Sequence, residues 1–126
     1  MKIYILLIIT IVLLFSLAGY TLWWLNSLCE EMNGLTKSLY ASLKSGDYNT
    51  GLSKARTIEE RWEEAHSMAY IVIGHYAINE INMNIVRLRS CLEQAMVDEA
   101  IVETNLLLYS FDNLSTFEKL SPANIF

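Results

Sequence analysis

The chain opens on a long apolar run and then settles into a repeating helical pattern. Ile3 to Leu25 carries no charged side chain and is interrupted only by Thr10, Ser16, Gly19, Thr21 and the tyrosines Tyr4 and Tyr20. As a helix this run is about 35 Å long at about 1.5 Å per residue, enough to cover a hydrocarbon core of about 30 Å. From there apolar residues fall at Leu25, Leu28, Met32, Leu35 and Leu39, with Leu43 beyond. Alternating steps of three and four mark a helix seam, so the first helix is expected to continue outward to about Lys44. Ser45-Gly46-Asp47 supplies a stop, with Gly46 suited to the left-handed position after a helix.

Three more seams follow. Tyr48, Leu52, Ala55, Ile58, Trp62, Ala65 and Ala69 define a second helix starting near Asp47 or Tyr48. Its small alanines leave room for a neighbour, and Trp62 is expected to be the central knob of the core. Tyr70 to Ile73 reads equally as a buried helix end or a short extended connector, with a break placed near Gly74. Ile78, Ile81, Ile85, Leu88, Leu92 and Ala95 form the third seam, the most regular in the chain. Met96-Val97-Asp98 is read as the next joint, with Asp98 as N-cap. Ile101, Thr104, Leu108 and Phe111 give the fourth seam, flanked by Leu107 and Leu114. Short joints make consecutive helices antiparallel neighbours. The expected fold is therefore all-α: an N-terminal transmembrane helix continuing into a small antiparallel helical bundle. Residues 1–28 form the anchor and 29–126 an extracytoplasmic bundle with a docked C-terminal tail.

Orientation rests on the flanking charges. Lys2 and the amino terminus precede the run, whereas Glu30 and Glu31 are the first charges after it. Positive charge stays on the cytoplasmic side, so the N-terminus is expected inside and the bundle outside, although Lys37 and Lys44 oppose this. Trp23 and Trp24 close the run where amphipathic rings favour the headgroup level. A cleaved signal peptide is the rival, because Ser16-Leu17-Ala18 resembles a small-x-small cleavage site. The apolar run, however, continues past Ala18 and the basic region is thin. Leu17-Ala18-Gly19 is followed by Tyr20 and not by the cysteine of a lipoprotein box, and the early glutamate of a pilin leader is missing.

Charge and cysteine count narrow the picture. After Leu25 there are eight Lys/Arg against fourteen Asp/Glu, a net of about −6. This argues against a nucleic-acid surface and against a polybasic hold on anionic lipid. Cys29 and Cys91 lie too far apart in sequence for a metal-binding pair. Outside the cytoplasm they have the option of pairing, provided the helix bearing Cys91 returns to the membrane side; otherwise they are two partly buried thiols.

Several features together resemble a known family. These are Trp62 with its following glutamates, His75-x-x-Ile78-x-x-Ile81, Leu88 ahead of a short loop, Asp98-Glu99-Ala100-Ile101, and the ending Leu120-Ser121-Pro122-Ala123-Asn124-Ile125-Phe126. They are similar to a small membrane-anchored helical family of unknown function from Gram-positive, largely spore-forming bacteria. The ending Leu-Ser-x-x-Asn-Ile-Phe is the most specific part, and Pro122 and Ala123 depart from its usual form. The resemblance implies a helical domain beside one membrane span and an integral membrane protein as neighbour. It implies no catalytic residues.

The residues offer little chemistry. Glu63-x-x-His66 has the spacing of a di-iron ligand pair, but a second Glu-x-x-His is lacking; His66 is read as a hydrogen-bonded histidine near Trp62. His75, next to the predicted break, is read as a cap or a pH-sensitive contact. No phosphate loop, zinc-protease helix or nucleophile elbow is present, and Glu59, Glu60, Glu63 and Glu64 read as a solvated face. No catalytic, cofactor or metal site is assigned. Asn79, Asn82 and Asn84 punctuate the third seam, where a polar group near a seam fixes register or partner. Tyr40, Tyr48, Tyr70, Tyr76 and Tyr109 are candidates to line a groove. The assigned interaction residues are Trp62, His75, Asn124, Ile125 and Phe126, with Ile125 and Phe126 docking on the bundle or on a partner. The expected function is a non-enzymatic accessory or interaction subunit of a membrane or envelope protein, in contact with the bilayer and not with nucleic acid. The alternative is an extracytoplasmic ligand-sensing module, which would have to signal sideways through a partner.

Overall fold

The computed structural model describes residues 1–119, with side chains through Leu114. The first helix, α1, spans Lys2–Lys44 without a break. α2 spans Tyr48–Ile73, α3 His75–Glu93 and α4 Val97–Lys119. No strand occurs among the described residues. The outer half of α1 packs against α2 and α4, and α3 closes the ring between them. Short turns between packed neighbours make this an up-down-up-down bundle.

The core follows the seams, except that on α4 Ala100, Leu107 and Leu114 are buried where Ile101 and Leu108 of the expected stripe are only half-buried. Leu25, Leu28, Met32 and Leu39 of α1 are buried with Ile58 and Trp62 of α2, Ile78, Ile81, Leu88 and Leu92 of α3, and Leu107, Phe111 and Leu114 of α4. Two threonines sit fully inside. Thr36 donates its hydroxyl to the Met32 carbonyl at 2.7 Å and Thr104 to the Ala100 carbonyl at 2.7 Å, so neither brings an unpaired polar group into the core. Gly51 lies where α2 crosses α1 most closely. A Cβ there would stand 2.8 Å from Leu43 Cδ2, so a side chain would push the buried leucine aside.

Polar pairs tie adjacent helices at the rim. Arg61 of α2 meets Glu31 of α1 at 2.7 Å, Arg87 of α3 meets Glu103 of α4 at 3.2 Å, and Arg89 of α3 pairs with Glu59 of α2. Asn33 of α1 donates to Asp112 of α4 at 2.9 Å. Each exposed pair contributes little energy, about 0–1 kcal/mol, but together they select one register. Glu59 thus does more than face solvent.

Two joints end helices in the same way. After α1, the Gly46 N–H bonds the Leu43 carbonyl and the Asp47 N–H the Ser42 carbonyl, with Gly46 at φ 83°. After α3, the Ala95 N–H bonds the Leu92 carbonyl and the Met96 N–H the Cys91 carbonyl, with Ala95 at φ 56°. Both are Schellman closures, which favour glycine at the left-handed position. Ala95 is therefore a turn residue and not the last core position of α3, as its spacing suggested. Because this turn closes early, α4 begins at Val97, and the Ala100 N–H bonds the Met96 carbonyl. Asp98 sits inside the first turn, where its charge favours the helix dipole, and is not the N-cap. The left-handed conformation costs an L-residue about 1–2 kcal/mol, while glycine adds unfolded-state entropy of about 0.4–1 kcal/mol. Ala95→Gly is expected to raise stability by the difference, roughly 0.5–1 kcal/mol, read from the urea midpoint.

Asp47 caps α2. Its carboxylate accepts from the Thr50 N–H at 3.2 Å and from the Thr50 hydroxyl at 2.6 Å. The hydroxyl bond first, then the backbone bond, hold its pKa below the ordinary carboxylate value. A depressed folded pKa gives stability that is complete above the unfolded pKa and is lost as pH falls through the folded one. Asp47→Asn keeps the cap but does not titrate. The wild-type protein is expected to lose stability relative to Asp47→Asn as pH drops from about 5 to about 2, and to show no such relative change above that range.

Candidate functional site

The two ends of the bundle are chemically unlike. At the end where α1 leaves the bundle, the helices part around a cavity of about 690 Å³. Leu22 and Leu25 of α1 line it together with the α2–α3 turn, the first two turns of α3, and Ser110, Asn113 and Leu114 of α4. The walls are mostly apolar, with His75, Glu80, Ser110 and Asn113 as polar groups. From Ala65 to Asn79 the chain carries no Asp, Glu, Lys or Arg. The opposite end carries Lys44, Asp47, Glu93, Asp98 and Glu99 around its two turns.

His75 is on the cavity wall, as the first residue of α3. It does not cap the helix: Gly74 holds that position, at φ 98°, and no side chain bonds the helix end. Its ring instead packs on Tyr70, with centroids 5.1 Å apart, and Tyr70 also meets His66 edge-on at 5.5 Å. The Tyr70 hydroxyl donates to Asn79 Oδ1 at 2.8 Å, tying the last turns of α2 to α3. Tyr70–Ile73 is thus helix and not an extended connector.

Trp62 is 2% exposed and faces inward. Its indole N–H donates to Asn82 Oδ1 at 2.6 Å, and its ring meets Phe111 at 5.7 Å and 63°. It presents no surface, and its contacts organise the core. Asn84 is buried too, donating to Ser110 Oγ at 3.1 Å and accepting from Arg87. The three asparagines of α3 accordingly serve three interhelical contacts. Asn124, Ile125 and Phe126, together with the expected docking of the tail, lie outside the described residues.

His66 enters no ligand set. Its Nδ1 lies 3.1 Å from the Glu63 carbonyl of its own helix. Among the described residues no three His, Cys, Asp or Glu side chains converge as metal ligands. Cys91 carries a free thiol near the outer end of α3, whereas Cys29 is buried where α1 enters the bundle, at the opposite end, so the two do not pair with each other. Burial, then Glu103 and Glu99, push the Cys91 thiol above its ordinary pKa, away from the thiolate a nucleophile needs.

Five further exposed apolar residues escaped the seam pattern. Met83 and Val86 of α3 and Val102, Leu106 and Tyr109 of α4 are all exposed. On α4 these residues recur at steps of four and three, opposite the buried stripe, so α4 is apolar on two faces. Of the five, only Tyr109 stood out beforehand.

The inner portion of α1 is exposed throughout. Every residue from Met1 to Tyr20 is exposed, and this portion is long and apolar enough to cross a membrane, a property it shares with signal sequences. Thr10 returns its hydroxyl to the Leu6 carbonyl at 2.9 Å, which lets it sit in an apolar surround. No curated protein and no solved structure matches the chain. Residues 20–125 match the family described as Domain of unknown function (DUF4363), beginning inside the apolar run and covering the bundle, so the chain belongs to that family.

Proposed function

We propose that this protein is a single-pass membrane protein without enzymatic activity of its own, an accessory or interaction subunit of another membrane or envelope protein. α1 is retained as the anchor, with the N-terminus in the cytoplasm and the bundle outside. One observation carries the reading: a single unbroken helix is uncharged from Ile3 to Leu25 and uncovered over its first half, and forms a wall of the bundle over its second. The exposed apolar face of α4 (Val102, Leu106 and Tyr109) supports a protein partner, because such faces on small domains mark interaction sites. That face would be offered sideways to a neighbour in the same membrane.

The test is photo-crosslinking in native membranes, with benzoylphenylalanine at Leu106 or Tyr109 of the full-length chain. The expected result is one dominant adduct with an integral membrane protein, weakened by Val102→Asp. Adducts no stronger than from Asn49, on the outer end, would contradict it.

The cavity favours a second reading, in which the bundle senses a small apolar ligand. Ligand that binds only the folded state must raise the melting temperature. A metabolite-dependent rise in melting temperature, lost when Ala77 is enlarged to Phe, would support it over protein docking.

A further inference from the structure

The inner end of the bundle has a feature that protein docking does not use. Ile71 is 83% exposed and Tyr76 85% exposed, on either side of the Gly74 turn. Among the described residues these are the least covered large apolar side chains of the bundle, and they lie within the stretch from Ala65 to Asn79 that has no Asp, Glu, Lys or Arg. The turn between them is level with the end of the apolar run. Val72, Ile73 and Tyr76 line the same cavity as Leu22 and Leu25 of α1. Trp23, one residue from Leu22, is itself exposed.

The level matters because α1 is one helix. If Ile3 to Leu25 spans a hydrocarbon core of about 30 Å, residues 22–25 stand in the headgroup region. Whatever packs beside them stands there as well. An isoleucine and a tyrosine favour that region, the tyrosine because one end of its ring is apolar and the other wet. A charged turn would resist it, and the turns at the other end of the bundle are charged.

We infer that the α2–α3 turn is a second membrane contact, with Ile71 and Tyr76 seated in the headgroup region of the bilayer that α1 crosses. The inference rests on the anchor reading. Two contacts, one spanning and one superficial, stop the bundle from tilting about α1. They thereby fix the direction in which the exposed apolar face of α4 points.

Nitroxide labels on the full-length protein in phosphatidylcholine–phosphatidylglycerol vesicles test this. Labels go one at a time at Ile9, Asn49, Ile71 and Tyr76, in a Cys29→Ala, Cys91→Ser chain whose helicity is checked first. Collisions with oxygen report lipid and collisions with a nickel chelate report water. The expected oxygen-to-nickel ratio is highest at Ile9, several-fold above Asn49 at Ile71 and Tyr76, and lowest at Asn49. Ile71 and Tyr76 matching Asn49 while Ile9 stays in lipid would overturn the second contact and leave the anchor intact. Ile9 in water would overturn the anchor and the contact with it. Labels at Ile71 and Tyr76 shielded from both reagents would mean that protein, not lipid, covers the turn, and would also overturn the inference. Should the cysteine-free chain fail to fold, a diazirine amino acid at position 71 or 76 of the otherwise native protein gives the same decision: lipid adducts support the contact, and their absence, with adducts retained from position 9, refutes it.

Discussion

Trp62→Ala is expected to lower the stability of the bundle by about 3–5 kcal/mol, as large aromatic truncations in cores do. The ring is 2% exposed and flanked on its own helix by Ala65 and Ala69, too small to collapse into the vacated space. Phe111 would lose its edge contact, and Asn82 the donor to its side-chain oxygen. Trp62→Phe separates most of these losses: it keeps an aromatic ring and most of the apolar volume, and removes the indole N–H with the small ring that bears it. Because Asn82 is half-buried and can turn toward water, this variant should lose far less, about 1–2 kcal/mol. Urea unfolding in detergent, followed by far-UV circular dichroism, measures both. A loss below about 1 kcal/mol for Trp62→Ala would show that the ring is not the centre of the core.

The second large effect concerns the apolar half of α1. Ile11→Arg combined with Leu14→Arg places two guanidinium groups near the middle of the run. At about 2.5–3.5 kcal/mol per charged residue at a helix centre, the pair opposes insertion by roughly 5–7 kcal/mol. The protein is expected to move from the carbonate-resistant membrane fraction to the soluble fraction or to be degraded. Retention of both arginines in a carbonate-resistant protein would show that this segment is not held in lipid. Thr10 next to them makes a sharp control: Thr10→Leu removes a hydroxyl already satisfied within the helix and should leave fractionation unchanged.

Much of the architecture was legible because seams of three and four leave little freedom. Leu25 to Leu43 placed the outer half of α1 and its end at Lys44, and Gly46 announced the turn that follows. Gly74 likewise marked the division between α2 and α3. The joint between α3 and α4, expected at Met96-Val97-Asp98, falls two residues earlier because it uses the same closure without glycine. Ala95 satisfies the spacing of the seam yet adopts a positive φ, and nothing in its side chain signals this. Asp98 looked like a cap for the same reason: the true end of α3 was hidden.

The site was less legible than the fold. Periodicity identifies a face that is apolar but not the helix that covers it. Asn82 and Asn84 were visible as polar residues near a seam, but their partners Trp62 and Ser110 come from other helices. His75 was placed beside the α2–α3 break but read as a cap or a pH-sensitive contact, and its contact with Tyr70 depends on where the break leaves each ring. Leu106 and Val102 passed as ordinary helix residues because α4 is apolar on both sides, and only the packing shows which side is used. The cavity arises where four helices diverge, which no single stretch encodes.

In the proposed topology α1 remains attached and crosses the membrane with the bundle outside. A membrane-impermeant maleimide applied to intact cells reads this topology. The chain lacks its own cysteines (Cys29→Ala, Cys91→Ser) and carries one new cysteine, at Ile3 or at Asn49. The account predicts that the Asn49 position is labelled in intact cells, and that the Ile3 position is labelled only after permeabilisation and on the full-length chain of 14.4 kDa. Labelling of Ile3 but not Asn49 in intact cells, or a membrane-free product that has lost residue 3, would contradict it.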